Sequence, residues 1–224
     1  MKPRELIGVA DVPGGPPLRL IRHAGDFIVM LDRNELMSSR MSGSEEALGA
    51  MTCARIKGVP ALRLLIGGYG MGFTLRAVLA AVGPDARVTV AELVPGVIDW
   101  AHGPMAELTA GCLDDARVDL RLADVGEVMS EAGFDAILLD VDNGPDGVTR
   151  PANDRLYTAT GLARARAALN PGGVLAIWSA GPDAAFAKRL GLAGFMVDEV
   201  RVRARANGKG PTHVIWFATP RPAA

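Results

Sequence analysis

From Leu62 onward, short apolar runs recur along the chain, most of them ending at a glycine or an acid. Leu62–Ile66, Val88–Ala91, Val118–Leu122, Ala136–Leu139 and Val174–Trp178 have strand length and predict the strands of a buried sheet. Helical segments fill the gaps at 72–82, 95–109, about 125–131, 154–168 and 183–193. Such alternation predicts an α/β domain, a parallel sheet with helices on both faces. Asn170-Pro171-Gly172-Gly173 predicts a tight helix-to-strand turn. The end of the chain breaks the rhythm. Val197–Ala206 and His213–Ala218 are β-prone and separated only by Asn207-Gly208-Lys209-Gly210-Pro211, so the sheet is expected to close with an antiparallel hairpin. Before Leu62 the pattern is weaker. Leu18–Ile21 and Phe27–Leu31, around His23–Asp26, predict one small hairpin. The residues ahead of it, with their prolines and glycines, predict an irregular lead-in, and Glu35–Gly43 an irregular connection. Ser44 is a suitable N-cap for a helix to about Ile56, with Glu45 and Glu46 favourable in its first turn. The expected division is 1–43 for the extension and hairpin, and 44–224 for the α/β domain.

Composition narrows the function classes. The 224 residues, 49% hydrophobic and 22% charged, suit one globular domain with a sizeable core. A formal charge of −1 gives no bulk attraction to nucleic acid or to an anionic membrane. No apolar run reaches the roughly 18 residues of a membrane span, and MKPRELIGVADVPGG lacks the apolar centre of a secretion signal. A cytoplasmic location is the resulting expectation. Cys53 and Cys112 are expected as two buried thiols. Neither has a Cys or His neighbour at ligand spacing, so no metal site is expected.

Candidate chemistry gathers at the strand ends. Gly67, Gly68, Gly70 and Gly72 lie between the first strand of the alternating region and the helix that follows. Glycine lets a backbone approach a ligand closely, and a helix N-terminus offers free N–H groups. Glu92 lies 25 residues after Gly67 at the end of the next strand, where a carboxylate can accept hydrogen bonds from ribose hydroxyls. Asp124 and Asp140 end the two strands after that. Asp124 suits either an adenine amino group or a helix cap. Asp140 is the leading catalytic candidate, an acid able to orient a nucleophile and take its proton. Asp142 and Asn143 follow in DVDNGPDG as substrate contacts or turn formers. Leu93 and Val125, beside the acids, are further cofactor candidates. Asn153 and Tyr157, in PANDRLY, are candidate substrate contacts, with a helix cap and a core residue as their structural readings. Arg201, Arg203 and Arg205 alternate on one strand face, read as solvated, and His213 reads as a strand-end residue. Trp100, next to His102, reads as core or as packing near the cofactor.

Several of these stretches resemble the spermidine synthase family, within the class I S-adenosylmethionine-dependent methyltransferase superfamily. DFIVMLDRNELMSS resembles the family's N-terminal hairpin, and LLIGGYGMG its glycine motif. VTVAELVPGVIDWA resembles its ribose-binding strand and helix, and FDAILLDVDNGPDG its catalytic loop. LYTATGLARARAALNPGGVLAIWS resembles the next helix and strand. The resemblance implies a Rossmann-like class I methyltransferase fold, with a mostly parallel seven-stranded sheet and a small N-terminal hairpin. It also implies a homodimer, with Glu92 on the ribose, Asp124 on the adenine and Asp140 at the reaction centre. Three positions depart from the family pattern. Gly70 stands where the glycine motif carries an aspartate that holds the amine of decarboxylated S-adenosylmethionine. Leu36 stands where the hairpin carries a cofactor-facing glutamine. Asn143 stands where the loop carries its second aspartate. Losing one carboxylate weakens the hold on an amine by roughly 1.5–3 kcal/mol. The departures therefore favour intact S-adenosylmethionine and a small-molecule methyltransferase acting on an acceptor that could be an amine, with Asp140, Asp142 and Tyr157 around the reaction. The alternatives are a polyamine aminopropyltransferase using decarboxylated S-adenosylmethionine, and a binding protein without turnover. An NAD-dependent oxidoreductase fits less well, since the glycines miss the G-x-G-x-x-G frame.

Overall fold

The computed structural model describes residues 3–141, 144 and 151–222. Among these residues the strands form two sheets. The first is antiparallel, in the order β1 (Glu5–Ala10), β2 (Leu18–His23), β3 (Asp26–Leu31), β4 (Asn34–Ser38). Two-residue turns close its last two hairpins. Ala24 and Gly25 have φ of 55° and 97°, which matches the twist of the flanking strands. Asp32, at φ 51°, opens the turn between β3 and β4. The expected hairpin is therefore the middle of a four-stranded sheet. β1 and β4, read as irregular, are strands because β2 and β3 supply their hydrogen-bond partners. Neither has a clear two-residue burial rhythm of its own.

Helix α1 (Gly43–Arg55) leads into the second sheet. Its elements follow as β5 (Arg63–Gly67), α2 (Phe73–Ala81), β6 (Arg87–Glu92), α3 (Pro95–His102), α4 (Ala106–Thr109), β7 (Val118–Leu122), α5 (Val125–Val128), β8 (Phe134–Leu139), α6 (Ala159–Ala168), β9 (Leu169–Ser179), α7 (Ala184–Leu192), β10 (Phe195–Arg203) and β11 (Thr212–Pro220). The order across the sheet is β10-β11-β9-β8-β5-β6-β7, with β11 antiparallel to both its neighbours, β10 and β9, and the remaining pairs parallel. The α/β reading and its closing hairpin hold. The long 95–109 helix is two helices, α3 and α4, parted at Gly103-Pro104. Asn153 lies in a 3₁₀ segment, Pro151–Tyr157. The cap of the next helix is Thr158, whose side chain accepts from Gly161 N at 3.1 Å.

Alternate residues of the inner strands bury on opposite faces. Leu64, Ile66, Ala136 and Leu138 pack with α1, α2 and α3; Leu65, Ile137 and Leu139 pack with α5, α6 and α7. Two-sided burial is why these strands read as continuous apolar runs. Trp216 and Phe186 meet edge to face at 5.0 Å on the second face. Cys53 and Cys112 are buried free thiols, and burial pushes the Cys53 thiol up to about 11. Among the described residues, no helix is long and apolar enough to cross a membrane.

Two glycine contacts position the pocket. A Cβ on Gly96 of α3 would lie 2.5 Å from Ala10 Cβ, so β1 rides directly on α3 and brings the small sheet over the large one. A Cβ on Gly49 of α1 would lie 2.8 Å from both Thr74 O and Ala77 Cβ, so α1 rests on α2. Gly49→Val is expected to cost about 1–3 kcal/mol through overpacking. Gly83→Ala, where a Cβ meets nothing within 4 Å, should leave the thermal midpoint nearly unchanged. Equal midpoints for both variants, measured by calorimetry, would contradict the close α1–α2 contact.

Candidate active site

The carboxyl ends of β5, β6 and β8 meet at the centre of the large sheet, where α/β folds bind ligands. The glycine turn starts there. Gly68 has φ +85°, and a Cβ on it would sit 2.4 Å from Asp140 O, so only glycine fits. The turn is held from below by Glu92. Its Oε2 accepts from Tyr69 N at 2.9 Å and its Oε1 accepts from Val94 N at 2.8 Å. Burial raises the Glu92 carboxyl, and backbone N–H groups of Tyr69, Val94, Leu93 and Gly70 pull it back. Tyr69 turns inward, 4% exposed, with its hydroxyl 3.5 Å from Cys112 Sγ, and so anchors the turn away from ligand.

One pocket takes in most of the sequence candidates. Gly68, Gly70, Glu92, Leu93, Asp124, Val125, Asp140 and Asn153 all line it. Gly67 and Gly72 sit behind it. A Cβ on Gly67 would press on Val125 at 2.8 Å, and Gly72, at φ +78°, is the residue from which α2 starts. Asp124 caps α5 by accepting from Gly126 N at 2.8 Å and pairs with Arg155. Its helix-capping reading is thus realised while it also faces the pocket. Tyr157 is 2% exposed, packs edge to face on Phe186 at 5.6 Å, and donates its hydroxyl to Val141 O at 3.3 Å. It supports the segment after Asp140 from within the core. Asp142 and Asn143 lie outside the described residues.

Asp140 follows β8 directly. Its Oδ2 accepts from Thr74 Oγ1, at the start of α2, at 2.7 Å. Burial pushes its carboxyl up to about 6, opposed by that hydrogen bond. An acid held there is neutral or charged within the range useful for proton transfer near neutral pH. The opposite wall is the small sheet. Leu18, Val29, Leu31, Leu36 and Met37 give it an apolar surface, and Met37 lies 3.4 Å from where a Cβ on Gly70 would be.

Of that wall sequence reasoning reached only Leu36, and it missed Thr74, Trp178 and Glu45. Strand pairing brings in Met37, and no local signal marks it. Glu45 did leave a signal. It shares a helical face with the buried Leu48, Gly49 and Thr52, at offsets of three, four and seven. His213 is buried in β11, with its Nδ1 2.8 Å from Ser44 Oγ and its ring edge to face with Trp178 at 4.8 Å. Arg203 donates to Gly210 O at 3.3 Å and to Thr212 Oγ1 at 3.1 Å, and Arg201 lies 3.8 Å from Glu199, along the sheet edge formed by β10.

No protein-family model matches the chain. In sequence it is 35% identical over 124 residues to a polyamine aminopropyltransferase of Mycobacterium tuberculosis, covering 53% of this chain and 23% of that protein. It is 34% identical over 119 residues to one of Ruegeria sp., covering 51% of this chain and 39% of that protein, and 36% identical over 124 residues to one of Nitrosomonas europaea, covering 54% and 35%. The matches thus span well under half the length of these relatives. In structure, the spermidine synthase of Thermotoga maritima superposes with a TM-score of 0.75 at 19% identity, over 97% of this chain and 74% of that one. A spermidine synthase in complex with the transition-state analogue AdoDATO gives the same TM-score at 18% identity and the same coverage. The fold is like that of the spermidine synthases, a Rossmann-like α/β arrangement, and the sequence likeness to polyamine aminopropyltransferases covers about half of this chain. These likenesses overturn the methyltransferase reading. That reading rested on Gly70, Leu36 and Asn143, three single positions, whereas the proteins similar to this chain over half its length are aminopropyltransferases. Intact S-adenosylmethionine loses its support with it.

Thr74 holds Asp140 toward its charged form, so Thr74→Val should raise the Asp140 midpoint above about 6. Carbon-detected NMR of the carboxyl groups reads this, with the signal assigned by its loss in Asp140→Asn. A midpoint near the ordinary 3.8 in the unmodified protein would contradict the buried placement.

Proposed function

We propose that this protein is an aminopropyltransferase, moving the aminopropyl group of decarboxylated S-adenosylmethionine to an amine acceptor. The observation that carries the reading is the 34–36% identity to polyamine aminopropyltransferases over about half the chain. The pocket supports it. Gly68 and Gly70 leave the backbone open to a bulky nucleoside, Glu92 and Asp124 supply carboxylates at one end, and Asp140 supplies an acid at the other.

The reaction is a displacement at carbon. The acceptor nitrogen uses its lone pair to form a bond to the propyl carbon next to sulfur. The carbon–sulfur bond breaks, its electron pair stays on sulfur, and methylthioadenosine leaves as a neutral thioether. The new ammonium loses a proton, and Asp140 is the group placed to take it. Sulfonium is already an activated leaving group, so the protein's task is alignment and exclusion of water. The apolar wall of Leu36, Met37 and Val29 suits both the methylene arm and that exclusion. The glycine turn and Glu92, which lines the pocket at the end of β6, would hold the nucleoside.

The same reading carries a homodimer in the cytoplasm. Leu6 and Val9 of edge strand β1, 56% and 55% exposed, support a covered surface there. Light scattering that shows a monomer at micromolar concentration would remove the dimer.

Incubation with decarboxylated S-adenosylmethionine and a short diamine should release methylthioadenosine, followed by mass spectrometry. Asp140→Asn should lower kcat by about 10²- to 10⁴-fold. Retention of full turnover would remove Asp140 from the chemistry, and absence of methylthioadenosine across a diamine series would overturn the transferase reading.

A further inference from the structure

Glu45 plays no part in the chemistry above, yet it stands in the same pocket wall as Asp140. Three contacts fix it there. The Ser44 Oγ–His213 Nδ1 contact at 2.8 Å pins the first turn of α1 to β11. Gly49 allows α1 to close on α2. Thr74 Oγ1 reaches both the carbonyl oxygen of Glu45 at 3.3 Å and Asp140 Oδ2 at 2.7 Å, so one hydroxyl joins the backbone of one acid to the side chain of the other. Burial first, then the Asp140 and Glu46 charges, push the Glu45 carboxyl well above the usual range.

The surroundings do not answer this charge. Among the described residues the pocket lining contains no Lys, Arg or His. Gly70, across the turn, brings no side chain. Trp178 lines the same pocket, 7% exposed, and its buried indole N–H, a donor with no partner among the described residues, calls for an acceptor atom on a ligand rather than for a cation. Two ionised carboxyls in one pocket repel each other, so the pair either keeps a proton or gains from a cation that joins both.

Building on the transferase reading, we propose that Glu45 and Asp140 together bind a primary ammonium group of the substrate, and that Glu45 is the residue that selects an amine at this end of the pocket. A carboxylate in the same place would face two acids and be rejected. A primary ammonium has three donors, enough to reach both carboxyls at once. The ammonium can belong to the propyl arm of the donor or to the acceptor diamine, and the two have the same chemistry.

Calorimetry on the full chain separates them. Wild type, Glu45→Gln and Glu46→Gln are titrated with decarboxylated S-adenosylmethionine, with methylthioadenosine, which has the nucleoside and no amine, and with 1,4-diaminobutane after saturation with methylthioadenosine. Glu45→Gln should weaken one of the two amine ligands by about tenfold to a hundredfold, the loss expected for one charged hydrogen bond. Methylthioadenosine should stay within twofold, and Glu46→Gln should move none of the three. The amine ligand that weakens identifies whose ammonium the pair holds. Unchanged affinity for both amines overturns the proposal. Equal weakening of methylthioadenosine overturns it too, since Glu45 would then be holding the pocket's shape. Wild type that binds neither nucleoside overturns the transferase reading, and this inference with it.

Discussion

One buried carboxylate holds together the two turns at one end of the pocket. Glu92 accepts from Tyr69 N on the glycine turn and from Val94 N on the corner before α3. A carboxylate taken out of water at 8% exposure is destabilising unless donors surround it, and here the donors are backbone N–H groups that the two turns would otherwise leave unsatisfied. The acid thus settles the shape of two loops at once. Gly68 adds the other half of the constraint, because its backbone lies against Asp140 O and leaves no space for a side chain. The ends of β5, β6 and β8 are therefore registered to each other by hydrogen bonding and close approach as well as by the sheet.

A second centre of order lies at Thr74. Its hydroxyl stands where α1, α2 and the end of β8 converge, and it donates to Asp140. Gly49 makes that convergence possible by removing a Cβ from the α1–α2 contact. Asp140 gains a raised pKa from burial and an orientation from Thr74, two effects that oppose each other in charge but act together in geometry. The same convergence brings Glu45 to the pocket, so the acid pair is a consequence of helix packing.

The small sheet completes the pocket as a roof. Its contribution is almost wholly apolar: Leu18, Val29, Leu31, Leu36 and Met37. An apolar roof over an acidic floor excludes water and strengthens each electrostatic interaction beneath it. That division of labour suits the proposed reaction, in which a cationic sulfonium and an amine would meet. β1 fastens the roof through the Ala10–Gly96 contact and the approach of Gly8 to Trp100, where a Cβ would lie 2.6 Å from the indole nitrogen.

The alternation of apolar runs and helical segments determined the large sheet, its parallel core and its antiparallel end. The inner strands are buried on both faces, and that burial is written into their own residues, while the edge strands β7 and β10 stay partly exposed. The glycines, Glu92, Asp124 and Asp140 were legible for a related reason: a strand that ends abruptly in an acid marks itself. β1 and β4 were not legible, because their burial is irregular and their partners lie on other strands. Tyr157 was open in sequence between a substrate contact and a core residue, and packing on Phe186 places it in the core. Glu45 and Glu46 are chemically identical neighbours, and the turn of α1 against α2 alone decides which of them meets Asp140. The weight given to Gly70, Leu36 and Asn143 misled the functional reading, since three single positions count for less than a likeness to aminopropyltransferases over about half the chain. A pocket's charge is a sum over elements distant in sequence, and a missing acid in one motif says nothing about an acid that a neighbouring helix brings in.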